Sequence, residues 1–236
     1  SITGVLAGIL ADQGGLDVNQ TVAHYLPMAA RSGFGDATIR NLLDMRVSLN
    51  FSEEYLDEDG DYARYRRAML WNPAPDGYAA EPLGDMLCSL SKGNGDHGGT
   101  FRYLSPSSDL LGLVLEAATG ASFADIMTGL LWQPLACKDA QITVDGMGAP
   151  RTAGGISTFA DDLARLALMI MHDGDGIVSE AWVADMVTAG DSTAWAASDF
   201  AYFIPGGRYR SQWYQFPTPS AAFMAIGIHG QWLYAD

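Results

Sequence analysis

Positive charge is scarce in this chain. Its 236 residues hold 13 lysines and arginines against 28 acidic residues, a formal net charge of −15. Lys92 and Lys138 are its two lysines. Phosphate contacts need clustered Lys and Arg, so the balance argues against nucleic acid and against an anionic membrane surface as partners. The acidity reads as a solubility feature. Cysteine is equally sparse. Cys88 and Cys137 are too few for a disulfide framework and leave either one bridge or, more commonly, two free thiols. No uninterrupted apolar run approaches the roughly 20 residues of a membrane span. The apolar stretch Ile2–Leu10 is short and has no basic flank, so it does not read as a signal peptide. It reads as a core helix whose beginning lies further upstream. The four histidines, His24, His97, His172 and His229, stand far apart without acidic or cysteine partners at metal spacing. No metal or cofactor is expected.

What is present is a core. The chain is 48% hydrophobic and 17% charged, enough to build a large packed interior. Apolar spacing predicts helices over 1–13, 38–45, 82–91, 107–119, 123–131, 161–172 and 179–190. Asn50–Arg67 is polar, acidic and aromatic and is expected to begin as a loop. Strands are predicted over 211–216, 222–228 and 232–234, with a turn at Pro217-Thr218-Pro219. Helices dominate the first two thirds and antiparallel strands gather at the end. The expected class is α+β, an antiparallel sheet flanked by helices plus a helical region. One domain covers 1–236, with a helical region over roughly 16–150 and a sheet-associated region over roughly 1–15 and 151–236. The sheet is small for its helices, so strands are expected to be missing.

Candidate chemistry narrows by elimination. Ser89-Leu-Ser-Lys92 matches Ser-x-x-Lys, a nucleophile-and-base motif, but lies at the end of a helix rather than its start. Lysine there complements the helix dipole. His97-Gly98-Gly99 lacks the Gly-x-Ser-x-Gly elbow that would make it an oxyanion loop, and reads as a polar turn. Ser1 as an N-terminal nucleophile would open a strand, whereas here it opens a helix. What remains is Tyr103-Leu104-Ser105 on a short turn before an apolar helix, together with His229-Gly230-Gln231. Singly, these read as a satisfied turn tyrosine and a strand bulge. In this order, with these elements around them, they point to a cleft.

The chain resembles the serine β-lactamase-like family, in the branch of class C β-lactamase-type esterases and 6-aminohexanoate-dimer hydrolase. The resemblance runs through essentially the whole chain. It is carried by Ser1-Ile-Thr-Gly-Val-Leu-Ala-Gly-Ile-Leu, Ala37-Thr-Ile-Arg-Asn-Leu-Leu-Asp-Met, Phe51-Ser-Glu-Glu-Tyr55, Tyr103-Leu-Ser105 before Leu111-Gly-Leu, Ala153-Gly-Gly-Ile-Ser and Gly227-Ile-His-Gly-Gln231. It implies a β-lactamase/transpeptidase-like fold, truncated at both ends. It also implies a serine hydrolase of small esters or linear amides that works through an acyl-enzyme. The Ser-x-x-Lys nucleophile motif would lie just upstream of Ser1, so the chain alone is expected to be inactive and marginally stable. Tyr103 corresponds to the tyrosine that carries the proton. Bringing a phenol from a pKa of ~10 to ~7 takes about 4 kcal/mol, which nearby positive charge supplies. Ser105 stands where many members have asparagine. His229-Gly230-Gln231 stands for the Lys-Thr-Gly of β-lactamases on a strand lining the cleft, and loss of that lysine argues against β-lactams as main substrates. The backbone N–H of Trp232 corresponds to the second oxyanion donor. Tyr55 corresponds to a loop tyrosine that contacts substrate. A non-catalytic binding member and a β-lactamase or penicillin-binding-type enzyme are the alternatives.

Overall fold

Helix α1 (Ile2–Asp12) carries no polar face: Thr3 through Leu10 are all buried. A helix apolar all round belongs at the centre of a fold. The computed structural model, which describes residues 1–77 and 79–236, places it there. On one side lies α6 (Ser105–Thr119), on another the main sheet and α9 (Glu180–Thr188). Two glycines one turn apart allow this closeness. A Cβ on Gly4 would stand 2.0 Å from the carbonyl oxygen of Ser211, and one on Gly8 would stand 2.4 Å from the Trp182 indole.

The main sheet is antiparallel, in the order β3 (Arg208–Arg210), β4 (Trp213–Gln215), β5 (Phe223–Ile226), β6 (Trp232–Ala235). A separate pair joins β1 (Gln141–Ile142) to β2 (Ile156–Ser157). Side chains alternate across a strand, so each register row faces one side. Trp213, Phe223 and Ala235 face the large core around α1. Tyr209, Tyr214 and Met224, which are paired across the strands, face a second cluster with Met45, Phe101 and Trp195. The sheet thus separates two apolar interiors.

The observed class is α+β, as expected. The helices at 1–13, 82–91, 123–131, 161–172 and 179–190 are found within a few residues of their predicted ends. Five features differ. α6 takes in Ser105 and Pro106, because proline is tolerated in the first turn, where no intrahelical N–H partner is lost. The polar stretch opens as a loop, as expected, but closes in a helix, α4 (Asp61–Ala68), whose Tyr62 and Tyr65 are buried. Ser211 and Gln212 are not strand but the two-residue turn between β3 and β4, at φ 48 and 68. Strand β3 itself was not anticipated. His229-Gly230 is not on a strand: the pair lies in the Gly227–Gln231 loop that closes the β5–β6 hairpin, with Gly230 at φ 84. Cys88 and Cys137 are both free thiols.

A buried carboxylate ties the helical region to the sheet-associated one. Asp109 on α6 is fully buried. It accepts the Tyr65 hydroxyl from α4 and, at 2.6 Å, the Ala153 N–H. Beside it, the Thr152 hydroxyl donates to the Ser108 carbonyl at 2.6 Å. Burial pushes the Asp109 carboxyl up to about 6, against the hydrogen bonds that favour its ionised form.

Two outcomes follow from this packing. Gly4→Ala destabilises the chain more than Gly8→Ala, since the first clash is with backbone and the second with a side chain that can turn. Overpacking costs roughly 1–3 kcal/mol, more than the ~1 kcal/mol an alanine returns in helix propensity; urea unfolding of both variants measures the order. For Asp109, the folded state keeps a proton that the unfolded state has lost between about pH 4 and the folded-state pKa of about 6. Its contribution to stability therefore falls as pH rises through that window, by at most about 3 kcal/mol. Asp109→Asn removes this part of the slope, which unfolding at pH 4 and pH 7 reads directly.

Candidate active site

Tyr103 lies at the boundary between the second aromatic cluster and the first turn of α6. Its ring centroid is 6.3 Å from Phe200 and 6.5 Å from Tyr209. Burial raises the phenol well above its ordinary range, and the Glu53 carboxylate raises it further. Arg151 is the one cation that opposes this, weakly. As it stands, Tyr103 is a poor base.

Ser105 is the first residue of α6, and its N–H donates to Glu53 Oε1. A carboxylate on an unpaired N–H at a helix N-terminus is a stable arrangement. The segment before Glu53 is pinned by Arg102, whose guanidinium donates to the carbonyls of Leu49, at 2.8 Å, and Phe51. Burial raises the Glu53 carboxyl while the Ser105 contacts lower it. Tyr55 follows on the same segment, 47% exposed, with its ring 4.6 Å from Tyr62. Tyr103, Ser105 and Tyr55 are therefore gathered around Glu53, which sequence reading did not single out.

A second group forms at the β5–β6 hairpin. A cavity of about 390 Å³ is lined by Ser1, Gly154, Gly227, Gln231 and Trp232, among others. Gly227 donates its N–H to the Gln231 carbonyl at 2.8 Å, and Ile226 stands opposite Trp232. Bonded and non-bonded pairs alternate along an antiparallel ladder. The Trp232 N–H therefore points out of the ladder, on a strand at the sheet's edge. Tyr103 does not line this cavity. The two groups are connected through Arg151, whose charge acts on Tyr103 and whose guanidinium carbon lies 3.8 Å from the centroid of the Trp71 ring. Trp71 in turn meets His229 edge-on at 5.5 Å.

The rejected motifs occupy ordinary places. Helix α5 (Leu83–Ser89) ends at Ser89, whose hydroxyl donates back to the Met86 carbonyl at 2.7 Å. Lys92 lies beyond that helix and pairs with Asp36 at 2.5 Å, an ion pair rather than a dipole contact. His97 accepts the Ser48 N–H on Nδ1 at 3.0 Å and has Asp36 at 3.0 Å from Nε2, in a polar turn.

Sequence reading passed over Glu53, Asp109 and Arg151. Asp109 had a signal: it is a carboxylate set directly against the apolar run that begins at Leu110. Arg151 had a weaker one, an arginine between Pro150 and the Gly154-Gly155 pair in a chain with 13 basic residues. Glu53 had none, since Glu54, Asp57, Glu58 and Asp59 surround it.

Known proteins share this architecture. A 6-aminohexanoate-dimer hydrolase of Paenarthrobacter ureafaciens is 33% identical over 242 residues, a match that takes in all of this chain and 61% of that protein. A Bacillus anthracis protein described as a 6-aminohexanoate-dimer hydrolase superposes with a TM-score of 0.86 at 23% identity, over 100% of this chain and 61% of that one. EstCE1, a hydrolase with promiscuous acyltransferase activity, superposes with a TM-score of 0.78 at 18% identity, over 100% of this chain and 74% of its own. The chain thus spans about three fifths of the curated relative it matches. The beta-lactamase family's sequence profile matches residues 1–236 from end to end. The chain therefore belongs to the beta-lactamase family.

Proposed function

We propose that the whole protein is a serine hydrolase of small esters or linear amides acting through an acyl-enzyme. The observation that carries this reading is the 33% identity to a 6-aminohexanoate-dimer hydrolase across the entire chain. The nucleophilic serine and its lysine are assigned to a Ser-x-x-Lys motif immediately preceding Ser1, at the head of α1. Ser1 lines the same cavity as Gln231 and Trp232, which supports placing the scissile carbonyl there.

Each group then has a task. The serine oxygen attacks the carbonyl carbon, and its proton passes to Tyr103. The Trp232 N–H, unclaimed by the sheet ladder, meets the developing oxyanion, a contact typically worth 10²–10³ in rate. Tyr103 returns the proton to the leaving group, and water repeats the cycle on the acyl-enzyme. Burial works against Tyr103 as a base. The reading therefore requires the motif lysine close to the phenol oxygen, where its charge lowers the pKa. Tyr55, Ser105, His229, Gly230 and Gln231 are assigned to substrate contact, with no cofactor. His229 in place of a lysine favours esters and linear amides over β-lactams.

A fluorophosphonate probe should label the protein that includes the residues ahead of Ser1, and should leave residues 1–236 alone unlabelled. Tyr103→Phe should lower kcat for an ester by roughly 10²–10⁴ with little change in KM. Absence of labelling and of ester turnover in the whole protein would overturn the reading. Nitrocefin turnover equal to ester turnover would replace it with a β-lactamase.

A further inference from the structure

Among the described residues, Arg151 is a buried cation with no hydrogen-bond or ion-pair partner for its guanidinium. It is 8% exposed. Its Nε is buried with no hydrogen-bond partner, and among the described residues no acceptor or carboxylate reaches either Nη. Asp109 lies near enough to feel its charge, yet that carboxylate is already served by the Tyr65 hydroxyl and the Ala153 N–H. The Trp71 indole covers the guanidinium at 3.8 Å. Stacking on an indole compensates charge but satisfies no N–H group. A planar fork of donors held in place by an aromatic ring is suited to one kind of ligand, a planar anion with two acceptor oxygens.

The fork's position says where that anion would be. Nη2 lies 3.7 Å from where a side chain on Gly154 would begin, and Gly154 lines the cavity shared by Ser1, Gln231 and Trp232. Trp71 reaches from the other side to His229 on the hairpin loop. The net charge of −15 otherwise disfavours an anionic ligand, so a local cation would be needed to admit one.

We propose that Arg151 is the specificity residue for a substrate carrying a free carboxylate, bound by the Nη1 and Nη2 edge beside the cavity while the scissile bond faces Trp232. The substrate class is then an ester or linear amide with an anionic end. This rests on the hydrolase reading above.

The test compares two p-nitrophenyl esters of equal length in the whole protein: the mono-ester of adipic acid, which is anionic, and the hexanoate, which is neutral. The expected result is a ratio of kcat/KM, anionic over neutral, that falls 10–100-fold in Arg151→Gln, through KM. Arg151→Lys falls between, because lysine keeps the charge and loses the fork. A ratio that does not move, or equal losses on both esters, overturns the proposal. A second measurement needs neither variant nor turnover. Hexanoate, and not hexanamide, should raise the melting temperature of the unmodified protein; equal effects of the two overturn the proposal. Binding of hexanoate without hydrolysis of either ester would instead overturn the hydrolase reading and leave the carboxylate site standing.

Discussion

The turn between β3 and β4 governs how the rest of the molecule comes together. Ser211 and Gln212 both adopt left-handed backbone conformations that non-glycine residues ordinarily avoid, and both are buried. Such a turn persists only where its surroundings hold it. The Ser211 N–H donates to Asp44 Oδ1 at 3.0 Å, and Arg40 Nη1 donates to the Ser211 hydroxyl at 2.8 Å. The Gln212 N–H donates to the Leu43 carbonyl at 2.9 Å, and its amide nitrogen to the Ser108 hydroxyl at 3.0 Å. The carbonyl of Ser211 then rests on bare Gly4. One tight turn thereby fixes α1, α3 (Ile39–Leu43), α6 and the sheet relative to one another.

The site inherits that alignment. α6 begins at Ser105, so whatever places α6 also places Tyr103 and the Glu53 carboxylate that caps its first turn. The hairpin carrying Gln231 and Trp232 is placed by the same sheet. The two halves approach each other across Arg151, Trp71 and His229.

The pattern of apolar residues made the long elements legible: α1 is a continuous apolar run, while α6 and α8 (Ala160–Met171) repeat with helical spacing and bury the face that spacing marks. Tyr103, Ser105 and Trp232 were legible as candidates through family likeness, which supplied an order of residues that periodicity cannot. What stayed hidden depends on distance in sequence. Asp109 matters because Tyr65 and Ala153 converge on it, 44 positions away on either side. Ser211 reads as strand because nothing local forbids it; the turn is imposed by Asp44 and Arg40, which lie more than 160 positions earlier. α4 was hidden by its charges, which lie on the outside while Tyr62 and Tyr65 supply the inward face.

The sheet's two faces have different owners. Trp213 and Phe223 belong to the interior that holds the molecule together, whereas Tyr209 and Tyr214 belong to the aromatic layer beneath Tyr103. Because the assignment alternates residue by residue along a strand, neighbours in sequence answer to different selective demands. Substitutions in the Tyr209–Tyr214 row can remodel the surroundings of the phenol while the α1 interior stays as it is. One register of the sheet thus serves the interior around α1, and the next serves the surroundings of Tyr103.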